Sequence, residues 1–326
     1  SNQIFDQKQR VPQKGHKGYF AALFFCLQEV IMNRKKTMKR EYQAYLYILP
    51  WILGFVILQL YPFVSSFIYS FTDYTVGAKA TFQGLENYKK LFTQDKEFWN
   101  SLKVTILFAL YTVPGKLIMA LAVAMFLNRN LKGINLIRTL YYIPSLFGGS
   151  VAVALLWRLM FLDNGVINAI LTALHLPGIQ WLGDTRYALR TICMLEIWQF
   201  GSSMVMFLAA LKQVPRSLYE AAEIDGAGKV TRFFNITLPQ ISPIIFFNLI
   251  NQTIQALQNF TSAQVITEGG PLKSTYVLGL KLYKEGFSYF KMGYASAISW
   301  VVFAAIMIFT LAIFASSKLW VHYADE

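Results

Sequence analysis

"YEAAEIDGAGKVTRFFNITLP", residues 219–239, gathers Glu220, Glu223, Asp225, Lys229 and Arg232 between two long apolar stretches. Charge confined to connections while the flanks stay greasy marks a chain threaded through lipid, where every charge inside the hydrocarbon is costly. The remaining sequence agrees. Of its 326 residues, 55% are hydrophobic and only 14% charged, against about 25% charged in soluble domains. Mean hydropathy is +0.41.

A bilayer core needs about 20 apolar residues at a rise of about 1.5 Å each. Six stretches reach that length: 43–71, 101–127, 136–162, 188–211, 240–260 and 292–317. The expected fold is therefore all-α, a polytopic membrane protein with six spans. The prolines Pro50, Pro62 and Pro114 fall inside spans, where neighbouring helices can satisfy freed carbonyls. A shorter run, Tyr19 to Leu27, cannot span and reads as an amphipathic helix on the inner surface. This divides the chain into a basic cytoplasmic segment 1–42, a six-span domain 43–317 and a cytoplasmic tail 318–326.

Lys and Arg set the orientation. Seventeen lie in segment 1–42, in 128–140, in 212–239 and in the tail; nine lie in the alternate connections 72–100, 163–187 and 261–291. Both termini and the opening loop are expected in the cytoplasm. The net charge of +13 does not indicate nucleic acid, because the basic residues form no single patch with interleaved aromatics. Cys26 and Cys193 lie in apolar stretches, and His16, His175 and His322 are scattered, so no disulfide framework and no metal site is expected.

Within 212–239, Pro215 suits a helix start, "RSLYEAAEI" is rich in helix formers and "DGAG" supplies a turn, with a second short helix from about Lys229 to Thr237. Two alanines offer a low face that can enter a partner's groove, with Glu220 at its rim. From charge pattern alone, a solvated connection between two spans is the favoured reading.

Spacing shifts that balance. Glu220, Ala221 and Ala222, then Asp225 and Gly226, then Ile236, Leu238 and Pro239 resemble the EAA motif of ABC importer permeases. The resemblance runs along nearly the whole chain, through "YILPWILGFVILQLYPFVSSFIYSFTDY" (47–74), "GLENYKKLF" (84–92), "YYIPSLFGGSVAVALLWRLMF" with "NGVINAIL" to 171, "TEGGPLKSTYVL" (267–278) and "GYASAISW" (293–300). It is similar to the carbohydrate-uptake, maltose-type (MalF-like) branch. The loop 72–100 is too short for the large external domain of the maltose subunit, so contacts made through that domain are not carried over.

The resemblance implies one of two permease subunits, paired with a second, MalG-like permease and two ATPase subunits. An extracytoplasmic solute-binding protein would deliver an oligosaccharide or related polyol across the bacterial cytoplasmic membrane. The EAA loop would couple ATPase closure to alternating access. ATP and Mg belong to the ATPase partners: no "GxxxxGK[ST]" stretch occurs here, so no cofactor is expected on this chain.

In the fifth span, Asn248, Gln252, Gln255 and Asn259 stand at offsets of 0, 4, 7 and 11, one face of a helix. Amides donate and accept as sugar hydroxyls require, without the desolvation penalty of a charge; they also serve as glue between membrane helices. Both readings stand on periodicity. The resemblance places Gln252, Gln255, Ala256 and Asn259 of this span, and Trp198, Gln199 and Ser202 of the fourth, at substrate-contacting positions. Trp198 could stack on a pyranose face or simply pack.

Ionisable residues inside spans are functional candidates by default. Glu196 is the best placed, with Arg190, Lys116 and Arg158, the last expected to snorkel outward. A secondary, ion-coupled carrier is the alternative, weakened by the absence of an Asp/Glu/His chain; a membrane enzyme lacks any nucleophile and base constellation, so no catalytic residue is expected.

Overall fold

The computed structural model describes residue 45 and residues 47–129 and 132–322. The amphipathic helix expected within 1–42 lies outside the described residues. The chain divides into two compact units at Ser65 and Ser66. Most of α1 (Tyr47–Ser70) belongs to the first, an apolar helix with a π turn at Val56–Leu60 shortly before Pro62. Proline has no N–H for the carbonyl four residues back, and a widened turn is a common accommodation.

In the second unit, α2 (Glu86–Thr93) leads into α3 (Lys96–Leu127). Asp95 caps α3 by accepting from the Phe98 N–H at 3.0 Å. The helix passes unbroken through Pro114, and its fully buried Ala120 and Ala124 let neighbouring backbones come close. Met204, Phe207 and Ile241 close over those alanines, while Phe108 packs with Leu195 and Ala256 further along.

Among the described residues, α1, α3 and the last helix cross-match a bilayer unbroken; three further spans exist only as bent pairs. Two of them depart from the unbroken spans expected over 136–162 and 188–211; the third bends between Gln240 and Ser242, where the expected short helix gives way to the stretch 240–260. The first pair, α4 (Ile134–Leu146) and α5 (Val151–Met160), turns through 99°. Its break holds Gly148 and Gly149, the latter at φ +74°, a conformation that favours glycine. After α6 (Val166–Ala173), the pair α7 (Thr185–Trp198) and α8 (Gly201–Gln213) bends by 45°. Then α9 (Arg216–Ile224) precedes α10 (Lys229–Gln240) and α11 (Ser242–Leu257), bent by 68° between Pro239 and Pro243.

The expected helix, turn and helix over 212–239 is present. Pro215 caps α9 rather than entering it, Gly226 makes the turn at φ +75°, and α10 runs past Thr237 through a π turn at Phe233–Thr237. The chain finishes with α12 (Thr261–Ile266), α13 (Leu278–Tyr283) and the apolar α14 (Met292–Ser317).

An ion cluster ties α13 to the start of α3. Lys281 is 1% exposed and meets Asp95 at 2.7 Å and Glu285 at 3.5 Å. The Tyr294 hydroxyl donates to the same Asp95 oxygen, Oδ2, at 2.6 Å. Burial works against the Asp95 charge, but the bonds from Lys281, Tyr294 and the Phe98 N–H hold its carboxyl below the usual range.

Candidate functional site

Where the spans break, a polar cavity of roughly 410 Å³ opens. Gly148 to Ser150 form one wall at the break between α4 and α5. Glu196, Gln199 and Ser202 come from the break between α7 and α8; Gln255, Gln258 and Asn259 come from the end of α11, and Lys116 reaches in from α3.

Helix breaks expose backbone groups that lipid cannot satisfy, so they persist only where protein or a wet cavity completes them. Here Ser145, near the end of α4, satisfies both sides of the break between α7 and α8. Its Oγ accepts from the Ser202 N–H at 3.0 Å and donates to the Gln199 carbonyl at 3.3 Å. Gly201 makes that approach possible, since a Cβ there would stand 2.5 Å from Ser145 Oγ and 2.7 Å from the Tyr141 carbonyl.

Four sequence-predicted residues, Gln199, Ser202, Gln255 and Asn259, line the cavity together. Gln252 and Ala256 border a small adjoining void of roughly 20 Å³ that Lys116, Glu196 and Gln255 also touch. Trp198 stands elsewhere: its ring tilts against Trp157 at 5.8 Å and lines an apolar groove with Tyr141, Pro144 and Phe200.

The amide stripe divides along its length. Asn248 is buried and donates to its own helix at Ile244, 2.9 Å away, while Gln252 donates to Ser203 of α8 at 3.2 Å. Gln252 thus acts as glue between α11 and α8, while Asn248 is satisfied within α11. Gln255 and Asn259, one and two turns on, face the open space. Asn259 donates to Glu196 at 3.0 Å and accepts from Ser262 at 2.8 Å.

Of the other intramembrane charges, Arg158 reaches the end of α12 and the connection beyond it, meeting the Val265 carbonyl at 3.2 Å and Glu268 at 3.5 Å, and Arg190 is exposed. Sequence reasoning missed Ser145, Ser150, Gln258 and Ser262 as cavity residues. The glycine pair in "SLFGGS" was the available signal that this span breaks.

On the loop, Glu220 and Ala221 are exposed, Ala222 is half-buried, and Glu220 makes no ion pair among the described residues. Asp225 closes α9 and leads into Gly226. Tyr219 and Thr237 share a hydrogen bond of 2.9 Å, and Glu223 pairs with Arg232 at 3.4 Å, pinning α9 to α10. Ile236 packs on the core beside the half-buried Leu238 and Pro239. Ile224, by contrast, is 88% exposed beside exposed Val230 and Phe234. Among the described residues, no group of His, Cys, Asp and Glu is arranged to hold a metal.

Residues 96–325 match the family described as "Binding-protein-dependent transport system inner membrane component". The chain belongs to this family. The permease is 46% identical over 299 residues to the probable ABC transporter permease protein YesP of Bacillus subtilis, covering 90% of this chain and 97% of that one. It is 34% identical to the lactose transport system permease protein LacF of Rhizobium radiobacter, over 87% and 97% of the two chains. Against the trehalose/maltose permease MalF of Thermococcus litoralis the identity is also 34%, over 86% and 96%.

A permease chain of a bacterial alginate ABC transporter, solved with a pentasaccharide-bound periplasmic protein, superposes with a TM-score of 0.75 over 87% of this chain and 96% of that one. At 23% identity that likeness speaks for the fold alone. The maltose-type resemblance is thus borne out. The permease is a multi-pass inner-membrane subunit of an ABC importer, not a catalyst, and it works with a binding protein and ABC transporter partners.

Proposed function

We propose that this permease forms half of an inward pathway for an oligosaccharide or related polyol, completed by a second permease subunit. Two ATPases would bind ATP and Mg, and the loop 212–239 would dock into one of them on the cytoplasmic side, where both termini also lie. One observation carries the substrate class: amides and hydroxyls from the break between α7 and α8 and from the end of α11 converge on a single cavity, at Gln199, Ser202, Gln255 and Asn259. Such groups match the paired donors and acceptors of sugar hydroxyls. The lactose and trehalose/maltose relatives support it.

The orientation rests on the excess of Lys and Arg around 1–42, 128–140 and 212–239. The docking role rests on exposed Glu220 and the apolar tip at Ile224 and Val230. Purification of the permease from its host membrane should bring down a second permease and an ATPase. Vesicles holding the assembly and its binding protein should import saccharides only with ATP inside. Uptake that persists with an ATPase lacking its phosphate-binding lysine would overturn the energy coupling; failure to import any of a broad saccharide panel would overturn the substrate class.

A further inference from the structure

The cavity described above holds one side chain whose chemistry neutral sugars leave unanswered. Lys116 sits midway along α3, is 7% exposed, and lines both the main cavity and the small void beside it. Its Nζ forms neither a hydrogen bond nor an ion pair among the described residues. Glu196 lines the same space, beyond ion-pair distance of Lys116 though near enough for its charge to act on it, and its carboxylate already receives the Asn259 amide at 3.0 Å.

An ammonium withdrawn from water is stabilised chiefly by a counter-charge with good hydrogen-bond geometry. A hydroxyl offers it only a dipole. Inside a span, an ionisable residue whose neighbouring counter-charge stays out of hydrogen-bond reach is a functional candidate by default. Resting on the oligosaccharide reading, we infer that Lys116 recognises an anionic group on the cargo, so that the permease carries an acidic saccharide such as a uronate oligomer. Lys116 would take the sugar carboxylate, while Glu196, Gln255 and Asn259 would take neighbouring hydroxyls. The two charges of opposite sign then orient the cargo: its acidic group turns toward α3 and its hydroxyl face toward the end of α11.

The complete transporter in vesicles, with its binding protein and ATP inside, tests this using uronate oligosaccharides and their carboxyl-methyl-esterified twins. The wild type should import the acids in preference to the esters. Lys116→Gln should lower the acid-to-ester uptake ratio by roughly tenfold or more, the scale of one charge-assisted hydrogen bond; Lys116→Arg should keep most of the preference. The ratio is internal to each preparation, so a lower yield of folded variant does not alter it. Should Lys116→Gln fail to assemble, the wild-type and Lys116→Arg ratios decide, and equal import of acid and ester by both would overturn the inference. An unchanged ratio in Lys116→Gln would also overturn it, as would import of neutral oligosaccharides alone, which leaves the oligosaccharide reading standing. Import of neither class would overturn the oligosaccharide reading itself.

Discussion

Asn259 donates its side-chain amide to the Glu196 carboxylate at 3.0 Å, joining two helix ends, α11 and α7, that the membrane would not tolerate unpaired. A neutral donor here lets an acidic residue remain in the cavity without a dedicated cation. Replacing it removes the donor and leaves the carboxylate with one bond fewer.

Asn259→Leu should therefore lower stability by about 1.5–3 kcal/mol, the range for hydrogen bonds to charged groups, and reduce uptake. Adding Glu196→Gln should recover part of the stability. Thermal melts of the purified complex for both single variants and the pair would show this as non-additivity; strictly additive losses would mean the two residues act separately.

Glu220→Lys reverses a charge on the exposed face of α9 without touching a described partner. Insertion and melting temperature should change little, since surface substitutions of this kind stay within about 0.5 kcal/mol. Association with the ATPase should weaken, read as loss of co-purified ATPase and of transport-stimulated hydrolysis. Full co-purification would return Glu220 to the role of a solvated loop residue.

Gly201→Ala forces a methyl into the 2.5 Å approach to Ser145 Oγ and the 2.7 Å approach to the Tyr141 carbonyl. Backbone on one side of this contact cannot yield as a flexible side chain would. A loss of about 1–3 kcal/mol, typical of overpacking, should appear as a lower melting temperature. Uptake should fall with it, because Ser145 and Gln199 set the cavity's shape.

The ion cluster predicts a pH response at the end of α3. The Asp95 carboxyl is held below its unfolded value near 3.9, so its stabilising contribution is intact above that pH. It is lost as pH falls through the lower folded value. Asp95→Asn should abolish this acid-limb dependence. Breaking a buried pair costs about 3–5 kcal/mol when the remaining charge is wholly orphaned. Glu285 still stands 3.5 Å from Lys281, so the loss should fall short of that. Melting temperature against pH for both proteins would check the sign.

Much of this molecule is legible in one dimension because lipid imposes a strong rule. Apolar stretches long enough to span can be counted, and α1, α3 and α14 follow it without a break. The loop 212–239 is legible for the complementary reason: its helix formers, Gly226 and the Ile236 to Pro239 ending are local signals for local structure. The face shared by Asn248, Gln252, Gln255 and Asn259 was likewise visible from helical spacing.

Sequence alone therefore determined the helical class, the order of the spans and the helix, turn and helix of the loop 212–239, because hydrophobic length and turn chemistry act between residues close in the chain. Only the tertiary structure decided that two spans bend, by 99° and 45°, and that those bends enclose a cavity together with the end of α11. It made glue of Gln252, through Ser203, and a cavity residue of Gln255 a turn later. It placed Trp198 in an apolar groove beside Trp157 and brought Lys116 of α3 to the space Glu196 shares. Those outcomes depend on which backbones approach closely enough to satisfy one another, as Ser145 and Gly201 do, and no spacing within a single helix records that.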